Sequence, residues 1–342
     1  MIDWVTARLP LRHFPINNGG VMKYSAEGSV EWQVPCKLQV QGSHESSIQI
    51  RSDGELDSQG RASEILFSGN PSKFLQGHNV FGSDDLVALM RDVYPIICGY
   101  LEITPELVDV KKVKEGDYPL ILVDINQSFE LPHRRDVLSW LRAAEYKSKT
   151  RHGRPQMKGG TLYFGKHSRR WAIKIYSKGE EIEAPKHQLP EALFETLIPK
   201  WADNKLRIEL RLMKKELAKI GILTAKDMTP DVAQNIYNSY LRKIEMNQQI
   251  ALSTETQHSL PLRLQGTYML WRSGVDLRHS MPKSSFYRQR KELYAHGIDI
   301  TLRQDCLDQS NVIPLVRVLE AKPASIPLWA IEQKLVHRSA SM

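Results

Sequence analysis

The sequence predicts an α+β fold, with a central antiparallel sheet and flanking helices in residues 1–221 and a mainly helical part in residues 222–342. Most segments before residue 213 alternate apolar and polar residues between clusters of glycine, asparagine, serine and proline, as strands do. After residue 213 the apolar residues recur with the period of a helix. The strands follow one another without a helix between each pair, which favours an antiparallel sheet over a parallel one.

The first 130 residues contain five predicted strands: WVTARLPL, SVEWQVP, KLQVQG, SIQIRS and LILVDINQSF. One helix interrupts them after FGSDD, where Ser83 or Asp84 could cap the segment DLVALMRDVYPIICGYL. A second helix, RRDVLSWLRAAEYK, follows Pro132 and leads to two further strands, GTLYFGKHS and RWAIKIYSK. The pattern up to this point is that of a sheet with helices attached.

The period changes after the strand KLRIELRL. The next segment, MKKELAKIG, is helical and stops at Gly221, a residue suited to the end of a helix. Three more predicted helices follow, in TPDVAQNIYNSYLRKIEMNQQIAL, LPLRLQGTYMLWRSG and PKSSFYRQRKELYAHG. We therefore expect a domain boundary near residue 222.

The positive charge of the chain is concentrated in one region. Lys and Arg number 47 against 39 Asp and Glu, a formal net charge of +8. Residues 131–178 alone contain thirteen Lys and Arg and two acids. Such a region can be an ordinary solvated surface. Because it includes predicted strands, we favour a folded face that binds a polyanion such as nucleic acid.

The cysteines indicate a reducing compartment. Cys36, Cys98 and Cys306 are an odd number at wide spacing, with no CxxC pair that could hold zinc. The segment MIDWVTARLP lacks the basic start and apolar core of a signal peptide. No apolar run approaches the length of a membrane span. These features predict a cytoplasmic protein without a membrane partner.

Three of the predicted strands have one apolar and one polar face, because successive side chains of a strand point to opposite sides. Their polar faces carry Lys174, Tyr176 and Lys178 in RWAIKIYSK, Arg207, Glu209 and Arg211 in KLRIELRL, and Asp124, Asn126 and Ser128 in LILVDINQSF. If the strands are neighbours, one surface combines carboxylates, cations and a tyrosine.

That set of groups suits the cleavage of a phosphodiester. Carboxylates hold Mg²⁺ or Mn²⁺, cations offset the developing charge, and a nucleophile attacks in line. A tyrosine nucleophile would form a covalent phosphotyrosine, whereas water would give hydrolysis. A solvent-facing sheet could show the same alternation without any catalytic role, so spacing alone does not decide between these alternatives.

Seven segments carry a resemblance to a known family. In chain order they are MIDWVTARLP, NPSKFLQGHNVFGSDDL, LVDINQSF, AIKIYSKGEE, LRIELRLMKKELAKIG, MPKSSFYRQRKELYAHGI and NVIPLVR. Together they resemble the gene II/X replication initiators of filamentous bacteriophages over almost the whole chain, most specifically in LQGHNVFG and MPKSSFYR. GGTLYFGKHS, IYSKGEE and RIELRL are also similar, more weakly, to the Rep_trans initiators of rolling-circle plasmids.

The resemblance implies an origin-specific nicking and closing enzyme with a degenerate form of the HUH, or Rep-like, nuclease fold. Such an enzyme cuts one strand through a 5′-phosphotyrosine intermediate, leaves a 3′-hydroxyl for the host polymerase and later rejoins the displaced strand. It implies Mg²⁺ or Mn²⁺ as cofactor, and double- and single-stranded origin DNA as partners. It also implies that a host helicase takes part, that several protomers could assemble on the origin, and that the protein acts in the cytoplasm of the bacterial host.

The family motifs also suggest roles for individual residues. Tyr176 matches the attacking tyrosine and Lys178 the lysine that follows it. Asp124 and Glu209 match acidic positions of the family, and their chemistry makes them our candidates for metal ligands. None of the eleven histidines forms a His-apolar-His pair, which departs from the wider superfamily. We expect His78 as a substitute ligand, or alternatively as a loop imidazole bonded to backbone.

DNA contacts are expected from basic residues around the catalytic strand and in a late helix. The candidates are Lys174, Arg207, Arg211, Arg151, Arg154, Lys166, Arg169, Arg170, Arg288 and Arg290. The late helix, capped at Ser284, could enter a major groove or pack in a helical bundle with a basic outer face. Tyr163 is a candidate for a supporting role. The main alternative function is an origin-binding or regulatory protein that does not cut.

Overall fold

A computed structural model of the chain describes residues 1–151, 153–185, 187–246, 260–295, 300 and 323–339. The strands are β1 (Ile2–His13), β2 (Gly20–Tyr24), β3 (Val30–Pro35), β4 (Leu38–Gln41), β5 (Ser47–Leu56), β6 (Ala62–Gly69), β7 (Leu120–Glu130), β8 (Ser148–Lys149), β9 (Gln156–Lys158), β10 (Thr161–Phe164), β11 (Trp171–Ser177), β12 (Lys205–Met213) and β13 (Glu245–Met246).

The helices are α1 (Pro71–Gln76), α2 (Leu86–Tyr100), α3 (Leu107–Glu115), α4 (Arg134–Lys147), α5 (Lys178–Glu183), α6 (Glu191–Phe194), α7 (Ile198–Ala202), α8 (Lys214–Lys219), α9 (Pro230–Leu241), α10 (Leu262–Arg272), α11 (Leu277–Ser280), α12 (Lys283–Ala295) and α13 (Leu328–Glu332). In the described part of the chain, none of them is long and apolar enough to cross a membrane.

The centre of the fold is a nine-stranded sheet in the order β4-β5-β6-β1-β7-β12-β11-β10-β9. All of its neighbouring strands pair antiparallel. The predicted α+β class, a central antiparallel sheet with flanking helices, is therefore confirmed. Strand β12 lies between β7 and β11, so the three strands with predicted polar faces are neighbours.

One face of the sheet buries the main hydrophobic core. Alternate residues of the central strands, such as Ile125, Ile175 and Ile208, join apolar side chains of α2, α4 and α9 in one cluster. Burial of these side chains holds the helices against the sheet, at about 25 cal/mol for each Å² of apolar surface removed from water. The opposite face of the central strands carries the polar residues.

The domain boundary differs from the predicted one at residue 222. Ile222, Ala225, Met228 and the inner side of α9 belong to the main core. The apolar stripe of α9 needs a partner, and the sheet provides it. A separate small core begins at Leu260 and unites α10, α11 and α12. Residues 222–244 therefore belong to the sheet domain.

Several helix ends agree with local chemistry. Gly221 has a φ of 81°, and it follows the end of α8 as the sequence indicated. The cap of α2 is Asp85, whose carboxylate accepts a hydrogen bond from the Ala88 amide, and not Ser83 or Asp84 as predicted. Helix α12 begins at Lys283, so Ser284 lies inside its first turn. The segment NVIPLVR and Cys306 lie outside the described residues.

Candidate active site

The register of three strands brings the predicted site residues onto one face of the sheet. Between β11 and β12, Tyr176 pairs with Arg207 and Lys174 pairs with Glu209. Between β12 and β7, Glu209 pairs with Asn126, and Arg211 pairs with Asp124. Directly paired residues in adjacent strands project to the same side. The tyrosine and both carboxylates therefore lie on neighbouring positions of one polar surface.

Tyr176 lies near the end of β11 and is 8% exposed. Burial raises the pKa of its hydroxyl well above 10, and the nearby carboxylates of Glu181 and Glu209 raise it further. Each of these effects disfavours the phenolate. A nucleophilic role for this hydroxyl requires a group that takes its proton and positive charge that stabilises the resulting oxygen.

Lys178, two residues after the tyrosine, is a buried lysine with fixed partners. It begins α5, where the Ser177 side chain accepts a hydrogen bond from the Glu180 amide and caps the helix. The fully buried ammonium group of Lys178 donates to Asn79 Oδ1 at 2.8 Å and to the carboxylate of Glu181. Burial lowers its pKa, and Glu181 opposes that change. The helix cap and the ion pair thus hold the lysine in place.

The two predicted metal ligands are buried and paired with cations. Both carboxylate oxygens of Asp124 accept hydrogen bonds from Arg211, at 2.8 Å and 2.5 Å. Glu209 accepts one from the ammonium group of Lys174 at 2.5 Å. Burial raises the pKa of Glu209 to about 7, and the negative charge of Asp124 raises it as well. Each of the two buried carboxylates therefore has one cation as its partner, and burial is the main reason that Glu209 holds a proton more tightly.

Two further polar residues lie on this surface. Asp3 of β1 accepts hydrogen bonds from the side-chain amides of Asn70 and Asn79. Burial raises the pKa of Asp3, and the charge of Glu209 contributes. Asn126 is 1% exposed, and neither polar atom of its side chain has a hydrogen-bond partner among the described residues. Buried amides are nearly always paired, so this exception indicates a ligand site.

Asp3 and Asn126 were not among the predicted site residues. Alternation along LVDINQSF places Asn126 beside Asp124 and Ser128, and that was the available signal. Nothing in MIDWVTARLP indicates that Asp3 reaches the same surface, because its position depends on the pairing of β1 with β7.

Of the two roles that the sequence left open for His78, the structure shows the loop imidazole bonded to backbone and not the metal ligand. Its Nδ1 accepts a hydrogen bond from the Val80 amide at 3.2 Å, so its Nε2 donates to the Leu335 carbonyl at 2.7 Å. Burial lowers its pKa to about 4, with help from the charges of Lys178 and Arg207. Both ring nitrogens of a neutral imidazole are thereby used. Among the described residues, no three His, Cys, Asp or Glu side chains have the spacing of a metal site.

Arg207 does not contact the solvent, which contradicts its predicted role in DNA binding. The side chain is 1% exposed. Its guanidinium donates to Ser128 Oγ at 2.8 Å, to the Asn79 carbonyl at 2.9 Å and to the Val80 carbonyl at 2.7 Å. Arg207 therefore fixes the loop of residues 77–83 over the polar face.

A C-terminal strap, residues 323–339, also covers this region. The Ala324 amide donates to the Ser128 carbonyl at 2.7 Å, just past the point where β1 begins its pairing with β7. The Trp329 ring packs against Phe81 of the loop, with ring centroids 5.7 Å apart. A cavity of about 360 Å³ lies between the strap, the loop and the polar residues Asn126, Ser128 and Arg207. The strap and the loop thus enclose the space beside the candidate site.

The remaining predicted DNA contacts have different degrees of exposure. Lys174 and Arg211 are partly exposed and paired with the buried carboxylates. Of the others, Arg151, Arg169, Arg170 and Arg288 are exposed, and Arg154, Lys166 and Arg290 are half-buried. Tyr163 pairs with Lys174 across β10 and β11, so it projects to the polar face that carries Tyr176, which we call the catalytic face. Lys166 lies over the Tyr163 ring. The basic region therefore borders the candidate site.

Comparison with known proteins assigns the chain to a class. Residues 1–231 match the N-terminal family of the replication-associated gene II protein. Residues 252–336 match the C-terminal family of the same replication-associated protein. The fold and its polar surface are thus those of a replication-associated protein.

A relative defines the family further. The chain is 46% identical to the replication-associated gene II protein of Enterobacteria phage I2-2, over 96% of this chain and 95% of that one. The protein belongs to this gene II family, and the resemblance identified in the sequence motifs is confirmed. A structure of a rolling circle replication initiator protein from Geobacillus stearothermophilus aligns over 78% of this chain and 95% of that one. With a TM-score of 0.34 and 15% identity, that likeness is distant.

Proposed function

We propose that the protein initiates and terminates rolling-circle replication of a phage genome by nicking and rejoining one strand at the origin. The Tyr176 oxygen attacks the scissile phosphorus, and the bond from phosphorus to the 3′-oxygen breaks. The products are a 5′-phosphotyrosine and a free 3′-hydroxyl, and attack by a 3′-hydroxyl reverses the reaction to close the strand. The observation that carries this proposal is the register that aligns Tyr176, Glu209 and Asp124 on one buried polar surface.

The tyrosine proton has an acceptor on the same surface. Without a bound metal, burial raises the pKa of Glu209 to about 7, so the carboxylate is partly ionised at neutral pH and can bind or release a proton there. The phenolate that forms is stabilised by the buried positive charges of Lys178 and Arg207. Arg207 lowers the pKa of Tyr176, against the larger effect of burial. Removing the site from water strengthens these electrostatic interactions.

The donor atoms fit the Mg²⁺ or Mn²⁺ that the family resemblance implies. Asp124 and Glu209 offer carboxylate oxygens, and the side-chain amide of Asn126, which pairs with Glu209 across β7 and β12, offers a further oxygen. Oxygen donors are the preferred ligands of these ions. When bound, the metal would polarise a phosphoryl oxygen and stabilise the leaving 3′-oxygen. His78 is not included, because its two nitrogens are used by the backbone.

Metal binding would alter the ion pairs of the site. Asp124 is paired with Arg211, and Glu209 with Lys174. A cation bound to these carboxylates would release Arg211 and Lys174, whose side chains are 32% and 24% exposed. The two released cations could then contact the phosphates on either side of the scissile bond. The exposed cations of the basic region would bind the adjoining strand in the same way.

The rest of the replication process provides further partners. The nicked strand has to be unwound and extended, so we propose that, in the bacterial cytoplasm, a host helicase unwinds the duplex and a host polymerase extends the 3′-hydroxyl. Assembly of several protomers on the origin is part of the same proposal.

The reaction can be tested with the supercoiled double-stranded form of the cognate phage genome. Incubation with Mg²⁺, followed by denaturation, should yield nicked circles and protein covalently attached to DNA. Tyr176→Phe should bind the DNA and cut none of it. Tyr24→Phe, which alters an exposed tyrosine of β2, is the matched control and should cut normally.

Three outcomes would contradict the proposed mechanism. Nicking by Tyr176→Phe would exclude this tyrosine as the nucleophile. Nicks without covalent attachment, even when closure is blocked, would indicate hydrolysis by water. DNA binding without any nick would leave the origin-binding protein as the function.

A further inference from the structure

Residues 260–295 form a small helical unit with a hydrophobic core of its own. Leu264, Tyr268 and Trp271 of α10 are buried together with Leu277 of α11 and with Phe286 and Leu293 of α12. Polar contacts connect α10 to α12. Arg263 forms an ion pair with Glu292 at 2.7 Å, and the Thr267 hydroxyl donates a hydrogen bond to Gln289. These contacts fix which side of α12 faces the core.

The opposite side of α12 is exposed and basic. Lys283, Tyr287, Arg288 and Lys291 are exposed, whereas Phe286 and Leu293 are buried. At 100° per residue, the exposed set covers one side of the helix and the buried pair lies roughly opposite. We call this set the α12 stripe. From Lys283 to Lys291 it is about 12 Å long, at 1.5 Å per residue.

The charges of the α12 stripe are not neutralised within the unit. Residues 260–295 contain seven Lys and Arg and two acids, Asp276 and Glu292. Glu292 pairs with Arg263, and Asp276 caps α11 and lies 3.2 Å from His279. Within the described part of the chain, Lys283, Arg288 and Lys291 have no acidic partner. An exposed side with three such cations is complementary to a polyanion.

We propose that the α12 stripe binds duplex DNA in the major groove beside the nicking site, with Lys283, Arg288 and Lys291 on phosphates. This inference rests on the proposed function and adds a second DNA contact, distinct from the catalytic face. An α-helix with its side chains is about 10 to 12 Å in diameter, and the major groove, about 12 Å wide, admits one. Proteins that bind unpaired strands present rows of aromatic rings for stacking, whereas the stripe has one, Tyr287. Its charge and shape therefore favour a duplex.

In this proposal the catalytic face and the α12 stripe bind different parts of the origin. The catalytic face acts on a single strand whose scissile phosphate has to reach the buried Tyr176. The α12 stripe holds the flanking duplex and increases the local concentration of the origin at that face. Loss of the stripe should therefore weaken binding to duplex DNA without altering the chemistry on an unpaired strand.

The test uses the full-length triple variant Lys283→Ala, Arg288→Ala, Lys291→Ala. Sequencing of the nicked product locates the nick site, and the affinity of the variant is then measured for a duplex that carries this site. If no nick forms, the affinity is measured for the whole duplex genome. We expect the affinity for the duplex to fall at least tenfold at moderate salt. The slope of log affinity against log salt concentration should become shallower, as expected for the loss of up to about three phosphate contacts. Cleavage of a single-stranded oligonucleotide carrying the site should stay within twofold of the parent protein.

The matched control is Lys111→Ala, Lys112→Ala, Lys114→Ala, which removes three exposed cations from α3. Equal loss of duplex affinity in this control would show an effect of net charge and overturn the proposal. Unchanged duplex affinity in the α12 variant would overturn it as well. The variant Lys283→Arg, Lys291→Arg keeps the positive charge and should bind the duplex normally. Weak binding by this variant would contradict contacts between these side chains and phosphates.

Failure of this inference can be distinguished from failure of the catalytic proposal. Tyr176→Phe retains the α12 stripe and should bind duplex DNA with the parent affinity while cutting nothing. If the parent protein does not nick DNA, the binding comparison of the two triple variants still decides the role of the stripe.

Discussion

The histidine that joins the loop of residues 77–83 to the C-terminal strap should make the protein sensitive to mild acid. His78 is neutral in the folded protein, since it accepts a hydrogen bond at one ring nitrogen and donates one from the other. Protonation would place a hydrogen on the nitrogen that faces the Val80 amide. That contact would be lost, and a charge would be buried near Lys178 and Arg207.

The magnitude follows from the difference in pKa between the folded and unfolded chain. The pKa is about 4 when folded and 6.5 for an ordinary histidine. The unfolded chain thus binds the proton more tightly. The stability attributable to neutral His78 is complete above pH 6.5 and falls as the pH decreases toward 4. At pH 5 this histidine should reduce the free energy of unfolding by about 2 kcal/mol relative to pH 7.5.

Urea unfolding followed by tryptophan fluorescence can measure this effect, because Trp201 and Trp329 pack against the loop residue Phe81. His78→Gln keeps a donor toward Leu335 and does not titrate. Between pH 7.5 and 5, the parent should lose about 2 kcal/mol more stability than this variant. His279→Gln changes an exposed histidine and should behave as the parent does. Equal losses in the parent and His78→Gln would refute the reasoning.

Three other substitutions test the site. Arg207→Met leaves the carbonyls of Asn79 and Val80 without their donor, and chemical unfolding should show a loss of about 2 to 5 kcal/mol. The exposed Arg288→Met should lose much less. Asn126→Leu replaces two buried polar atoms by apolar ones of similar shape, so stability should rise by about 1 kcal/mol or more while nicking is lost. Reduced stability in this variant would mean that the amide has a partner. Glu209→Gln should abolish Mg²⁺-dependent nicking, and retained nicking would exclude Glu209 as proton acceptor.

The burial of the nucleophile has a consequence for substrate access. Tyr176 is 8% exposed, and the loop and strap lie across the neighbouring surface. A duplex is about 20 Å wide and cannot approach such a hydroxyl, whereas a single strand is thinner and more flexible. Opening of the origin duplex would therefore come before the attack. Negative supercoiling, which favours unpaired DNA, should raise the rate of nicking.

Much of the candidate site could be predicted from local pattern. A strand alternates its side chains between two faces, so the sequence alone sorted Tyr176, Glu209 and Asp124 onto polar faces of their strands. The end of α8 at Gly221 was also predicted, because a glycine at positive φ depends on a few adjacent residues, whereas the predicted caps of α2 and α12 were displaced by one or two residues. The late basic helix was predicted either to enter a major groove or to pack in a bundle with a basic outer face, and the structure shows that one side of it packs in a small core.

The misassignments share one cause, which is distance along the chain. Arg207 has the pattern of an exposed strand cation, but a loop more than a hundred residues earlier covers it and uses its donors. His78 has the chemistry of a ligand, but the strap 257 residues later occupies its Nε2. Residues 222–244 were separated from the sheet domain because a change in period does not reveal which core a helix will join.

By itself, the sequence determined the class of fold, the family and the face of each strand on which the reactive groups lie. Only the tertiary structure decided that β12 lies between β7 and β11, that Asp3 and Asn126 join the carboxylates, and that loop and strap enclose them. The physical reason is that alternation depends on the geometry of one strand. The neighbours of a strand, and the burial of its charges, depend on how the whole chain closes around a shared core.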